Sequence, residues 1–242
     1  MCKSKINSMD KLKLLRERLD KIESKIDSMK IINGGILNEG FFPGADGVVN
    51  KSINYNKIEF MIIGQDQDTF KGYQRSKKIG NEKYTATWRN LFELINSSKV
   101  DSKKCFFTNC IPAVRLNSKS NVGRSPALKS TEFTLSCLKY LEFQISLLRP
   151  KAIICLGLIP VKLVSYLSSE LLLKFLALQQ FKEIDENNLA FIKNISFNKT
   201  QNYRANVITL YHPSFRKLNS KYRKFNGFIG NEAEIQLLNE IV

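Results

Sequence analysis

Residues 58–70 read IEFMIIGQDQDTF, an apolar run that reaches Gly64 and turns at once to Gln65, Asp66, Gln67, Asp68 and Thr69. A short continuous apolar run ended by glycine predicts a strand buried on both faces, as in a parallel sheet. Ligands of open parallel sheets bind just beyond the carboxyl ends of the strands, so this acidic turn falls where chemistry would occur.

Three further runs of the same kind follow: KCFFTNC at 104–110, KAIICLG at 151–157 and NVITL at 206–210. Between them lie helical patterns. Trp88, Leu91, Phe92 and Ile95 form one apolar stripe over residues 85–97, with Thr85 or Thr87 as its cap. Phe133, Cys137, Leu141, Ile145 and Leu148 form another behind Ser130, and residues 160–180 and 232–241 read as further helices. Strands alternating with helices predict right-handed crossovers and a parallel sheet covered on both faces. The expected fold class is therefore α/β, a three-layer α/β/α domain over residues 33–242 with a central parallel sheet of about four strands. Residues 182–205 are open between a short hairpin and an extra edge strand, and 71–84 read as a polar, basic loop.

Residues 1–32 stand apart as a charged amphipathic helix. Leu12, Leu15, Leu19, Ile22, Ile26 and Met29 repeat at heptad spacing over residues 8–30. Packing on the main domain is the preferred reading, and a dimerisation zipper the alternative. Residues 33–50 form a glycine-rich loop, and 111–129 a long basic loop of the kind that in compact domains is functional or disordered.

The chain carries 38 Lys and Arg against 22 Asp and Glu, a formal net charge of +16. That excess favours a polyanionic partner, nucleic acid or an anionic membrane, with a merely solubilising surface as the plain alternative. No apolar run reaches the roughly 18 residues of a membrane span, and no apolar signal core follows the N-terminus. The five cysteines are scattered without a Cys-x-x-Cys, as expected for reduced thiols of a cytoplasmic protein. With a single histidine in the chain, neither a zinc site nor an iron–sulfur cluster is expected.

Three of the four predicted strands end in polar signatures: Gln65-Asp66, Asn109 and His212. Taken singly, such residues are ordinarily a helix cap, a turn former and a core histidine. In a parallel sheet they converge on one edge, which makes them a candidate site.

With those residues in view, GQD at 64–66, FFTNCIP at 106–112, LRPKAIICLG at 148–157 and YHPSFR at 211–216 resemble the uracil-DNA glycosylase superfamily. TWRNLFELI at 87–95 also sits where that family places a helix, and the likeness covers roughly residues 40–240. The resemblance implies a monofunctional glycosylase that flips a pyrimidine out of DNA and hydrolyses its N-glycosidic bond without a cofactor. It implies Asp66 and His212 as the catalytic pair, Asp66 holding the attacking water and His212 donating to the pyrimidine O2. Gln65, Gln67 and Asp68 would line the base pocket and Asn109 would read the base edge, with Phe70, Tyr73 or Tyr84 stacking under the ring. Ser214, Phe215 and Arg216, together with Arg115, Lys119, Arg124, Ser125 and Lys129, are the expected DNA contacts, with Phe215 or Arg216 as a wedge in the vacated stack. A monomer bound to DNA, with no membrane contact, is the expected state.

The sequence departs from the family at one informative place. In the best-known branch Gly-Gln-Asp continues with Pro-Tyr, and the tyrosine excludes bases substituted at C5. Here Gln67 and Asp68 follow. The missing ring admits a modified base, as in a bacterial phage-defence member that removes glucosylated 5-hydroxymethylcytosine, with Asp68 accepting from sugar hydroxyls. Alternatively Asp68 caps the next turn and the base is uracil, the substrate of base-excision repair. A non-catalytic DNA-binding module of the same fold is the further alternative.

Overall fold

The apolar runs become adjacent strands. In a computed structural model the structure describes residues 7–22, 26–32, 54–79, 85–117, 123–198, 200 and 202–242. The first part of the chain forms α1 (Ser8–Leu19), β1 (Met29–Ile31), β2 (Phe60–Asp66), α2 (Phe70–Ile79), α3 (Ala86–Asn96), β3 (Cys105–Ile111), β4 (Ala113–Arg115) and α4 (Thr131–Leu148). The second forms β5 (Ala152–Leu156), α5 (Leu158–Ser165), α6 (Ser169–Phe175), α7 (Lys182–Glu186), β6 (Phe191–Ser196), β7 (Arg204–Leu210), α8 (Arg216–Asn219), β8 (Lys224–Phe225), β9 (Phe228–Ile229) and α9 (Asn231–Asn239).

The central sheet has the order β3-β2-β5-β7-β6. β2 pairs in parallel with β3 and β5, and β5 with β7. Every residue of β3 and β5 is buried, as is Phe60–Gly64 of β2, which is what continuous apolar strands between helical layers require. The predicted four-strand parallel sheet thus gains a fifth member. β6 lies antiparallel against β7 with a register shift between Ile192 and Ile195, and its centre is exposed, as an edge strand's can be.

The N-terminal segment differs from the heptad reading. α1 stops at Leu19, and Met29 belongs to β1, which pairs antiparallel with β4. Leu15 and Leu19 are fully buried within the one core, Tyr140 Oη donates to the Leu15 carbonyl at 3.2 Å, and the Arg18 guanidinium lies 5.9 Å from the Phe143 ring centre. The stripe therefore packs on α4, and its central leucines are not available to a zipper partner.

Residues 70–79, expected as loop, form α2. Thr69 starts it, its Oγ1 accepting from Gly72 N at 3.0 Å. A Cβ at Gly72 would displace the Asp68 carboxylate, so the two positions are packed against each other. Thr85 caps α3 through Trp88 N at 3.3 Å and Ser130 caps α4 through Phe133 N at 3.3 Å. The predicted helical run 160–180 is two helices, α5 and α6, separated by a turn at Tyr166–Ser168. The glycine-rich loop, Lys119 and Tyr84 lie outside the described residues.

Candidate active site

β2, β3 and β7 are parallel, so their carboxyl ends share one edge, and the three polar signatures meet there. Asp66, Asn109 and His212 line a single cavity of about 690 Å³, together with Gln65, Gln67 and Asp68. Register explains part of this placement: Gly64 of β2 faces Asn109 of β3, so no side chain of β2 stands between the amide and the cavity.

His212 sits two residues past β7. Its Nδ1 lies 2.7 Å from Ser214 Oγ and accepts from Ser214 N at 3.3 Å. A backbone N–H can only donate, so Nδ1 is the unprotonated nitrogen and the neutral ring carries its proton on Nε2. Burial lowers the imidazole pKa from 6.5 to about 4, so the ring is neutral at physiological pH. The ring is thus a neutral hydrogen-bond donor at the cavity wall.

Asn109 is 1% exposed, and its Nδ2 has no hydrogen-bond partner among the described residues. Gln67, which lines the same cavity, has its Oε1 likewise buried and unpartnered among them. A buried donor and a buried acceptor left open are costly unless a ligand completes them.

The Asp66 carboxylate is gripped by a buried arginine. Arg115 Nε donates to its Oδ2 at 2.7 Å and Arg115 Nη2 to its Oδ1 at 3.2 Å. The two side chains are only 3% and 5% exposed, a buried fork-to-fork pair. Arg115 was expected on a phosphate-contacting loop. Instead it closes β4, its N donates to the Asp68 carbonyl at 2.7 Å, and its Nη2 also reaches the Gly123 carbonyl at 3.0 Å. Gln65 Nε2 donates to that same carbonyl at 3.0 Å, so the turn at Gly123 is tied to the first motif twice. A carboxylate offers about four lone-pair sites, and Arg115 uses two, which leaves room for a bound water.

Other expected contacts separate into two groups. Arg124 and Phe215 line the cavity and are exposed, Ser214 is spent on the imidazole, and Lys129 is exposed on the short turn before α4. Ser125 and Arg216 are buried. Ser125 Oγ caps that turn through Ala127 N at 3.4 Å, and Arg216 Nε donates to Glu234 Oε2 at 3.2 Å. Neither side chain faces a surface that could meet a phosphate, which corrects both expectations.

Phe70 and Tyr73 do not line the cavity. They stack on each other at 6.3 Å on α2, with Lys30 over the Phe70 ring. The aromatic wall comes from elsewhere: Trp88 on α3, and Phe181 stacked on Tyr211 with ring centres 3.9 Å apart. Behind that pair lies Arg223, fully buried, 5.3 Å and 5.7 Å from the two ring centres and ion-paired with Asp185 at 3.2 Å. Sequence reading missed Phe181 because it follows an apolar helical region with no periodic mark of its own.

The strand ends of a mostly parallel α/β/α sheet thus gather an acid, an amide and a neutral imidazole around one cavity. Comparison with known families matches residues 51–230 to the uracil DNA glycosylase superfamily, and the chain belongs to it. No curated protein matches the chain. Members of the superfamily are in general DNA glycosylases, hydrolases that act on DNA, and a function of that general type follows for this chain. Among the described residues no helix is long and apolar enough to cross a membrane.

Proposed function

We propose that the protein is a monofunctional DNA glycosylase that extrudes a pyrimidine nucleotide and hydrolyses its N-glycosidic bond, leaving an abasic site. The observation that carries the reading is one cavity lined by Asp66, Asn109 and a neutral His212. The bond from C1′ to the base breaks with its electron pair moving onto the base, which leaves an oxocarbenium-like sugar. His212 Nε2–H donates to the pyrimidine O2, where negative charge grows. Asp66 holds a water on its remaining lone pairs, stabilises the cation, and takes a proton as the water oxygen bonds to C1′. Asn109 and Gln67 offer the unpaired amide groups that read the base edge, and Phe181 is the stacking surface in place of Phe70 and Tyr73.

The reading of the base rests on position 68. Asp68 lines the cavity but is turned toward α2, its Oδ1 accepting from Thr69 N at 2.5 Å. That bond turns the carboxylate back onto the chain just ahead of α2, whose first turn Thr69 caps. A cavity of about 690 Å³ lies well within the 300–1,000 Å³ range of drug-sized ligand sites, more than a bare pyrimidine needs. Both features favour a pyrimidine with a polar 5-substituent, such as glucosylated 5-hydroxymethylcytosine of phage DNA, and an antiviral role. Uracil and base-excision repair form the second reading, in which the Asp68 carboxylate, engaged with Thr69 N, makes no contact with the base. The +16 charge, with Arg124 and Phe215 exposed where they line the cavity, supports binding to a DNA backbone during flipping.

The test is incubation with single- and double-stranded DNA carrying uracil, 5-hydroxymethylcytosine or its glucosylated form, followed by alkaline cleavage of abasic sites. Product from a modified cytosine is expected. Product from uracil alone would overturn the modified-base reading, and DNA binding without product from any substrate would leave only a binding module.

A further inference from the structure

The segment that carries His212 is held from both sides by buried groups that never touch the cavity. On the N-terminal side, Tyr211 N donates to Glu234 Oε1 of α9 at 2.8 Å. On the C-terminal side, Asn90 Nδ2 of α3 donates to the Pro213 carbonyl at 2.7 Å. Arg216 joins the two, its Nε donating to Glu234 Oε2 at 3.2 Å and its Nη1 to the Asn90 carbonyl at 3.3 Å. Asn90, Arg216 and Glu234 are 8%, 4% and 0% exposed.

A buried ion pair is a poor way to gain stability, since well-packed apolar residues of the same volume usually serve as well or better. What such a pair does supply is a fixed geometry. Here that geometry is applied to the backbone on both flanks of one residue, while Ser214 fixes the ring itself through Nδ1. We infer that Asn90, Glu234 and Arg216 are positioning residues that set the direction of the His212 Nε2–H donor. The inference rests on the glycosylase reading for its catalytic consequence but not for its geometry. A hydrogen bond aimed at a growing charge loses most of its value when its donor swings away, and a displacement of about 1 Å in a reacting group costs on the order of 100-fold in rate.

His212 is the only histidine of the chain, so a nitrogen-15 spectrum of the imidazole reports this one ring. The wild-type protein is expected to give the Nε2–H tautomer with a titration midpoint about 4. In Asn90→Ala and in Glu234→Gln, the second of which keeps an acceptor for Tyr211 N, the tautomers should mix and the midpoint rise toward 6.5. The single-turnover rate of base release should fall about 10- to 100-fold, with DNA affinity changed less than about twofold. An imidazole spectrum and midpoint unchanged in both folded variants would overturn the inference. Should Asn90→Ala fail to fold, Glu234→Gln decides alone, and Asn90→Ser stands in for the first. The spectrum needs no substrate. A protein inactive on every DNA would therefore count against the glycosylase reading while the positioning inference was still decided.

Discussion

Two buried arginines stand behind the two catalytic candidates, and they act on them differently. Arg115 binds the Asp66 side chain itself, with one hydrogen bond to each carboxylate oxygen. Arg216 never reaches His212. It binds Glu234 and Asn90, which in turn hold the backbone at Tyr211 and Pro213. The difference follows from what each group must do. A carboxylate that orients water keeps its charge and direction when a cation grips it and still has lone pairs to spare. The neutral imidazole is instead fixed through Ser214 at Nδ1 and through the chain on either side.

The contrast can be broken at either end. The largest effect is expected from Asp66→Asn, which keeps shape and removes the proton acceptor: single-turnover base release should fall about 100- to 10,000-fold. Wild-type rate in that variant would remove Asp66 from the chemistry. Next is Arg115→Ala, which leaves an uncompensated buried carboxylate and should cost about 3–5 kcal/mol in denaturant unfolding. A loss under about 1 kcal/mol would mean that the Asp66 pair is solvated and interchangeable with surface ion pairs.

His212 supplies a pH signature of intermediate size. Its pKa is depressed on folding, from 6.5 to about 4, so between those values the unfolded chain holds one more proton than the native one. Stability should fall as pH drops through that window, by about 3 kcal/mol in total, and level off below it. His212→Asn should remove this component when the two unfolding profiles are subtracted. A difference profile flat between pH 6.5 and 4 would contradict the buried, neutral ring.

The smallest effects belong to the surface. Arg124→Ala and Lys129→Ala should each weaken DNA binding modestly and reduce the slope of log affinity against log salt by about one. An unchanged slope in both would move the phosphate contacts elsewhere.

The sheet was legible because buried parallel strands are written as unbroken apolar runs, and their polar ends showed where Asp66, Asn109 and His212 would meet. The helix at Phe70–Ile79 was not, because its start depends on Thr69 capping Gly72 and its body is basic with a glycine in the first turn. The heptad stripe overran into β1 because Met29 falls in phase with leucines of α1 although it faces the core from a strand. Arg115 and Arg216 were misread for one shared reason. A basic residue in a basic chain looks like a phosphate contact until its acid is found, and those acids lie 49 and 18 residues away in sequence. Phe181 was missed and Phe70 and Tyr73 were chosen because a stacking aromatic has no local pattern, only a position in the folded cavity.

The most direct test of the proposed reaction follows one atom. Base release carried out in oxygen-18 water, on the substrate the protein accepts, should place one label at C1′ of the abasic sugar and none in the freed base, with release lost in Asp66→Asn. Release of the base without the label at C1′, or no abasic site from uracil, 5-hydroxymethylcytosine or its glucosylated form, would contradict hydrolysis at this cavity.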